Sequence, residues 1–152
     1  MIEGKTKCGF VALLGAPNVG KSTLMNTLVG TKVSIVTHKV QTTRTRVVGV
    51  LVKHRSQLIF VDTPGIFEPK RRLERAMVRA AWSGVSDADI LIFLVDASMP
   101  DVDSSQRIIQ ELKARNREAL LVVNKIDKID KKQLLGQVER LRREGIFSKI
   151  FL

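Results

Sequence analysis

The chain has 152 residues, which is the size of one domain. Apolar residues make up 44% and charged residues 27% of it, which excludes a disordered chain, a collagen-like repeat and a coiled coil. The sequence contains no apolar run of about 18 residues that would span a membrane, and the N-terminus does not resemble a secretory signal. The single cysteine, Cys8, cannot form an internal disulfide, so a reducing, cytoplasmic location is expected.

The net charge of +11 is unevenly distributed. Residues 1–76 contain 13 basic and 4 acidic side chains, whereas residues 77–152 contain 13 and 11. Such a basic half suggests an anionic partner, namely nucleic acid, a nucleotide or a membrane surface. A soluble protein with a high isoelectric point explains the charge equally well.

Apolar runs predict six strands, and apolar residues at helical spacing predict helices between most of them. The strands are predicted over residues 8–14, 46–53, 58–61, 90–95, 119–123 and 148–152. Cys8 is expected to be buried in the first of these strands. The short polar gap at residues 54–57 predicts a hairpin and hence one antiparallel pair.

Four helices are predicted. Three of them cover residues 21–29, 71–85 and 104–113, and the fourth is a segment that carries Leu134, Leu135, Val138 and Leu141. The helix over residues 71–85 has an apolar set at helical spacing, namely Leu73, Ala76, Met77 and Ala80. Strands that alternate with helices predict an α/β fold, with a mostly parallel six-stranded sheet, one antiparallel strand and helices on both faces. Ligands are then expected at the carboxyl ends of the strands.

The first motif, at residues 15–22, reads GAPNVGKS and matches G-x-x-x-x-G-K-[ST] between a predicted strand and a predicted helix. Its glycines allow the backbone to curl until several N–H groups point at one anion, and the helix N-terminus adds favourable dipole charge. Lys21 supplies an ammonium for the terminal phosphates of a nucleotide. The Ser22 hydroxyl can ligate Mg²⁺.

The second motif, Asp-Thr-Pro-Gly, occupies residues 62–65 after the third strand. Asp62 can hold the metal ion, usually through water, and Gly65 leaves its N–H able to approach a terminal phosphate. The same four residues also form a good turn sequence, so this motif alone is weak.

The third motif, Asn-Lys-Ile-Asp, occupies residues 124–127 after the fifth strand. The Asp127 carboxylate can accept hydrogen bonds from N1–H and the exocyclic amine of guanine, a pattern that adenine does not offer. Asn124 can bind the base or connect this loop to the first one, and the Lys125 stem can lie along the base. Taken singly, the motif could be a solvated strand-to-helix turn.

Together the three motifs resemble those of P-loop GTPases. Residues 17–24 (PNVGKSTL) look like the bacterial branch that contains Era-type, EngA and MnmE GTPases, and residues 32–36 (KVSIV), 39–44 (KVQTTR) and Gly49 are similar to the Era type. The resemblance runs from Gly9 to the end. It implies a P-loop GTPase domain that hydrolyses GTP slowly with Mg²⁺ as a molecular switch.

The resemblance further implies a role in 16S rRNA maturation and small (30S) ribosomal subunit assembly, with a peripheral contact to the inner membrane among the expected partners. Two alternatives remain open. One is a sibling GTPase of the EngA or MnmE type, which serves large-subunit assembly or tRNA modification. The other is a basic RNA-binding module that does not hydrolyse GTP.

The resemblance also assigns site residues. Nucleotide binding is expected from Gly15, Asn18, Val19, Gly20, Lys21, Ser22, Thr23, Asp62, Gly65, Asn124, Lys125 and Asp127. Lys21, Asn18, Thr43 and Gly65 are the expected catalytic residues, and Ser22, Thr43 and Asp62 the expected metal ligands, with Thr42 as second choice for Thr43.

Two loops, residues 37–45 and 64–70, are expected to be switches that the γ-phosphate orders. The alternative is that the adjacent threonines in the first loop are merely exposed loop residues. Ile66 stands where Ras-like enzymes place a water-orienting glutamine, which predicts slow intrinsic hydrolysis. Asn18 is expected to help bind K⁺, or alternatively to be a loop residue that tolerates an unusual backbone angle.

Era-type proteins continue into a Ser-Ala motif that closes over the guanine and then into a KH domain, and neither is in these 152 residues. We therefore expect a truncated GTPase domain. The basic residues Arg72, Arg75 and Arg79, beside Trp82, could contact RNA or the missing domain, but a solvated helix face is favoured. His38 and His54 have no acidic or cysteine neighbours and are assigned no metal.

Overall fold

The computed structural model describes residues 6–31, 47–66, 72–99 and 102–152. Its six strands are β1 (Lys7–Leu14), β2 (Val47–Lys53), β3 (Ser56–Asp62), β4 (Ile90–Asp96), β5 (Ala119–Asn124) and β6 (Phe147–Phe151). Its four α-helices are α1 (Lys21–Val29), α2 (Arg72–Ser86), α3 (Val102–Ala114) and α4 (Lys131–Arg142), and a 3₁₀ turn covers Ile126–Lys128. None of the helices in the described ranges has the length and apolarity needed to cross a membrane.

The strands form one sheet in the order β2-β3-β1-β4-β5-β6. Among the strands of the described ranges, only β2 and β3 pair antiparallel, through a tight turn at His54 and Arg55 that joins Lys53 to Ser56. The remaining neighbours are parallel, and two of these pairs, β4–β5 and β5–β6, are each connected by a helix that crosses the sheet, as parallel pairing requires. The predicted fold class is confirmed, including its single antiparallel strand.

The sheet is covered on both faces. On one face Met25 of α1 packs with Leu13 and Phe60 of the sheet. On the other face α2, α3 and α4 cover a larger core that contains Phe93 and Leu121. Since successive strand residues point to opposite faces, β1 and β4 contribute to both cores, which explains why their apolar runs are unbroken.

Three details of the predicted packing are wrong. Of the apolar set predicted for α2, only Met77 is buried, and Leu73 is 64% exposed; the helix instead packs through Met77, Ala81, Gly84 and Val85. In α4, Leu135 is 65% exposed. Cys8 is exposed because it lies near the start of β1, before burial begins at Val11.

Candidate functional site

The three sequence motifs meet at one edge of the sheet, at the carboxyl ends of β1, β3 and β5. Asn124 Nδ2 donates to the carbonyl oxygen of Val19 over 2.9 Å, and Ser22 Oγ donates to Asp62 Oδ2 over 2.6 Å. The Asn124–Val19 contact joins the Asn-Lys-Ile-Asp motif to the motif at residues 15–22. The Ser22–Asp62 contact joins the motif at residues 15–22 to the Asp-Thr-Pro-Gly motif. The Asn124–Val19 contact alone brings together residues that are 105 positions apart.

The glycine loop, residues 15–22, has a backbone that few other sequences could adopt. Its φ angles are positive at Gly15 (152°), Asn18 (62°) and Gly20 (104°), which favours glycine or asparagine. A Cβ at Gly15 would lie 2.6 Å from the carbonyl oxygen of Leu94, and one at Gly20 would collide with the Asn124 amide. The loop leads into α1, whose N-cap residue Gly20 makes no side-chain hydrogen bond, and the N-terminus of a helix favours binding of an anion.

Lys21 is buried although it carries a charge, with only 7% of the residue exposed. Its Nζ donates to the carbonyl oxygens of Gly15 at 3.1 Å and Ala16 at 2.9 Å. Burial lowers the pKa of Lys21 to about 8, although the nearby Asp62 carboxylate acts in the opposite direction. A phosphate group in the loop would stabilise the ammonium and raise that pKa again.

Ser22 and Asp62 form a pair of hard oxygen donors that suits Mg²⁺. The 2.6 Å contact between the hydroxyl and the buried carboxylate keeps both groups at one point below the glycine loop. Mg²⁺ is commonly held by one or two protein oxygens, waters and substrate phosphates, and this donor set fits that pattern. Within the described ranges there is no group of three or more His, Cys, Asp or Glu residues that could hold a metal alone. Thr43 and Thr42, the other predicted ligands, lie outside those ranges.

The Asp-Thr-Pro-Gly segment lies against the glycine loop. A Cβ at Gly65 would lie 2.8 Å from the backbone nitrogen of Pro17, so only glycine allows this approach. Thr63 Oγ1 donates to the carbonyl oxygen of Leu13 over 2.6 Å. The backbone N–H of Ile66 donates to the carbonyl oxygen of Gly15 over 3.0 Å. The Ile66 side chain is 4% exposed and belongs to the larger core.

The predicted switch loops fall mainly in parts of the chain that are not described. Residues 37–45 lie wholly outside the described ranges, as do residues 67–70 of the second loop. The expectations for these segments stay predictions.

The third motif combines an anchored part and an exposed part. Lys125 has a positive φ of 59°, and its Nζ donates to the carbonyl oxygen of Asn18 over 2.9 Å. Asp127 is exposed in the 3₁₀ turn Ile126–Lys128, where its carboxylate can reach a ligand. Thr23, in the first turn of α1, is also exposed.

Sequence reasoning missed Asp96, the last residue of β4. Its Oδ2 lies 2.5 Å from Lys125 Nζ, and its Oδ1 accepts hydrogen bonds from Ser98 and Met99. Burial alone would raise the pKa of Asp96, but hydrogen bonds from Lys125 and Ser98 outweigh it and hold the pKa below the usual range. The available signal was an aspartate directly after an apolar strand, the same pattern that drew attention to Asp62.

The basic residues of α2 (Arg72, Arg75 and Arg79) are exposed, as a solvated face requires. Trp82 is partly buried, and the Arg115 guanidinium lies 5.2 Å from its ring centroid. One side of the indole is therefore occupied by an intramolecular cation–π contact.

Comparison with known proteins agrees with this geometry. The sequence matches the protein family described as 50S ribosome-binding GTPase over residues 10–125, and the chain therefore belongs to this GTPase family. Within it, the chain is similar to GTPase Era of Bradyrhizobium sp. (strain ORS 278), with 52% identity over 150 residues that cover 99% of this chain and 49% of that protein.

Solved Era structures have the same fold. Era in complex with MgGDPNP and nucleotides 1506–1542 of 16S ribosomal RNA superimposes with a TM-score of 0.88 at 41% identity, over 96% of this chain and 50% of the other. A variant of Aquifex aeolicus Era bound to GDP·AlF4⁻ superimposes with a TM-score of 0.86 at 40% identity, over 96% of this chain and 50% of the other. The predicted resemblance to Era-type GTPases is confirmed, and the chain spans about half the length of these relatives.

Proposed function

We propose that this chain is the nucleotide-binding and hydrolysing part of an Era-type GTP switch that acts in 16S rRNA maturation and small (30S) ribosomal subunit assembly in the cytoplasm. The observation that carries the proposal is the contact between Asn124 and Val19, which joins the base-recognition motif to the glycine loop. The solved Era complex with a 16S rRNA fragment supports the ribosomal part. The basic charge of +11 supports an anionic partner, for which a peripheral membrane surface is a further proposal.

Binding would divide the nucleotide between two regions of the sheet edge. The glycine loop and Lys21 would hold the phosphates, while Asp127 and the Lys125 stem would recognise guanine. Ser22 and Asp62 would hold Mg²⁺, with Thr43 joining them in the GTP state, and the ion would supply charge that offsets the phosphate oxygens. Gly65 lies against Pro17 of the glycine loop, and its N–H would contact a third phosphate.

Hydrolysis by these residues would depend on positioning and charge rather than on a covalent intermediate. Lys21 stabilises negative charge on the transferred phosphoryl group. The buried Ile66 side chain offers no hydrogen bond to water, so the intrinsic rate should be slow. K⁺ held near Asn18 is proposed as an additional positive charge. The positive φ of Asn18 is also what the alternative explanation, a tolerant loop residue, requires.

We expect the protein to turn over GTP slowly, at about 10⁻⁴ to 10⁻² s⁻¹, to be faster in K⁺ than in Na⁺, and not to use ATP. Measuring phosphate release from GTP and from ATP in each salt tests the rate, the effect of K⁺ and the exclusion of ATP. Asn18→Ala should remove the difference between the salts. Asn116→Ala is the matched control, since Asn116 also has a positive φ of 52° but lies outside the site. Equal rates in both salts would remove the proposed role of K⁺. If ATP competed with GDP for binding, guanine selectivity would be contradicted.

A sibling function in large-subunit assembly or tRNA modification is the alternative, since the matched family is described by 50S ribosome binding. We expect the full reading frame to restore 16S rRNA processing in a bacterium depleted of its own Era, and not to rescue one depleted of EngA. Precursor 16S and 23S rRNA are measured in each strain, with Lys21→Met as the inactive control. Rescue of the EngA-depleted strain alone would favour the sibling function. RNA binding without GDP binding would favour a module that does not hydrolyse GTP.

A further inference from the structure

Asp96, which belongs to none of the three motifs, lies between the two loops expected to hold the nucleotide. Strand β4 is placed between β1 and β5 in the sheet. The glycine loop follows β1, and the Asn-Lys-Ile-Asp segment follows β5. Asp96 ends β4 and is in register with Asn124 at the end of β5. Strand order alone therefore brings this carboxylate to the gap between the loops.

The two oxygens of Asp96 have different partners. Oδ1 accepts from the backbone N–H of Ser98 at 2.9 Å, from its hydroxyl at 2.7 Å and from the N–H of Met99 at 3.2 Å. These three bonds fix the orientation of the buried carboxylate. Oδ2 is then directed at Lys125 Nζ, 2.5 Å away.

Lys125 is consequently held at both sides of its ammonium group. Besides Asp96 Oδ2, Nζ contacts the carbonyl oxygen of Asn18 at 2.9 Å. A lysine side chain has many rotamers in water, and ordering it opposes binding unless the order already exists. The buried carboxylate provides this order in the protein without nucleotide, and the ordered Lys125 in turn connects the third motif to the glycine loop.

We propose that Asp96 is a positioning residue for base recognition, which holds Lys125 extended across the glycine loop so that its stem is already in place when guanine binds. Asp96 does not touch the nucleotide itself. The inference rests on the proposed function, because it requires guanine to bind beside Lys125.

Replacement of Asp96 by asparagine separates this role from a structural one. Asparagine keeps an oxygen that can accept from Ser98 and Met99, but it has no charge to hold Lys125. We expect Asp96→Asn to accelerate release of fluorescent mant-GDP by about 10- to 30-fold, because Lys125 must then be ordered by the nucleotide. In a Lys125→Met background, the same substitution should change the release rate by less than about twofold.

Asp103→Asn is the matched control, since it removes the same charge from an exposed site in the first turn of α3. Its release rate should stay within about twofold of wild type. An equal effect of Asp96→Asn in both backgrounds, a rate close to wild type, or a melting temperature far below wild type would each overturn the proposal. A wild-type chain that fails to retain mant-GDP would overturn the proposed function as well, whereas normal retention by both wild type and Asp96→Asn would overturn only the role of Asp96.

Discussion

Lys21→Met is expected to weaken GDP binding by at least about 100-fold, yet to leave the nucleotide-free protein as stable as wild type or more so. The loss of binding follows from removal of the ammonium that would contact the phosphates. Stability should not fall, because burial lowers the pKa of Lys21 to about 8: the side chain is still charged at pH 7, but keeping that charge in the folded state costs free energy relative to the unfolded chain. A shift of this size corresponds to about 3 kcal/mol, which offsets the two hydrogen bonds to Gly15 and Ala16. Calorimetric titration with GDP and urea denaturation measure the two effects.

The pH dependence of unfolding is a second measurement of the same effect. Between pH 8 and about 10.5, the unfolded chain binds the Lys21 proton and the folded chain does not, so the free energy of unfolding should rise with pH. Below pH 8 both states bind the proton, so the pH dependence vanishes while the cost of burying the charge is fully present. Lys21→Met should lack the rise, whereas Lys128→Met, which removes an exposed lysine, should keep it. A variant at Lys21 that is much less stable than wild type at pH 7 would contradict this explanation.

The positions of the three motifs could be predicted from the sequence because each follows an apolar strand. Parallel strands end at one edge of the sheet, so a motif after a strand is placed at that edge without knowledge of the strand order. The role of Asp96 could not be predicted from the sequence in this way. Its role depends on β4 lying between β1 and β5 and on an ion pair with Lys125, and the sequence contains neither the order nor the pairing.

The inward face of α2 shows why packing was less predictable than element type. Leu73 dominates the hydropathy pattern near the start of the helix but is exposed. The buried positions Ala81 and Gly84 have small side chains, and they suit close packing of the helix backbone against the sheet. A pattern that ranks residues by hydrophobicity gives low weight to such positions. Similarly, Cys8 lies in a strand but is exposed, because burial in β1 begins only at Val11.

Asp127→Asn is expected to exchange guanine for xanthine specificity. The aspartate carboxylate accepts two hydrogen bonds, from N1–H and the exocyclic amine of guanine. Asparagine offers one acceptor and one donor, which matches xanthine, where a carbonyl replaces the amine. Loss of one bond and an unpaired amine should reduce GDP affinity by about 10²- to 10³-fold, and affinity for xanthosine diphosphate should rise. Competition experiments measure the exchange. GDP and xanthosine diphosphate each compete against mant-GDP in the wild type, and against a labelled xanthine analogue in the variant.

Asp130→Asn provides a matched control three residues further along the chain. Asp130 caps α4 by accepting from the backbone N–H of Gln133, and asparagine caps a helix about as well, so the fold should persist while the same charge is removed. Because Asp127 is exposed in a short 3₁₀ turn, its substitution should also leave the melting temperature unchanged. A parallel loss of guanine and xanthine binding in Asp127→Asn, with the fold intact, would mean that the base is recognised elsewhere. Unchanged GDP affinity would mean that the Asp127 carboxylate does not contact the base, and that the third motif acts only through Asn124 and Lys125 on the glycine loop.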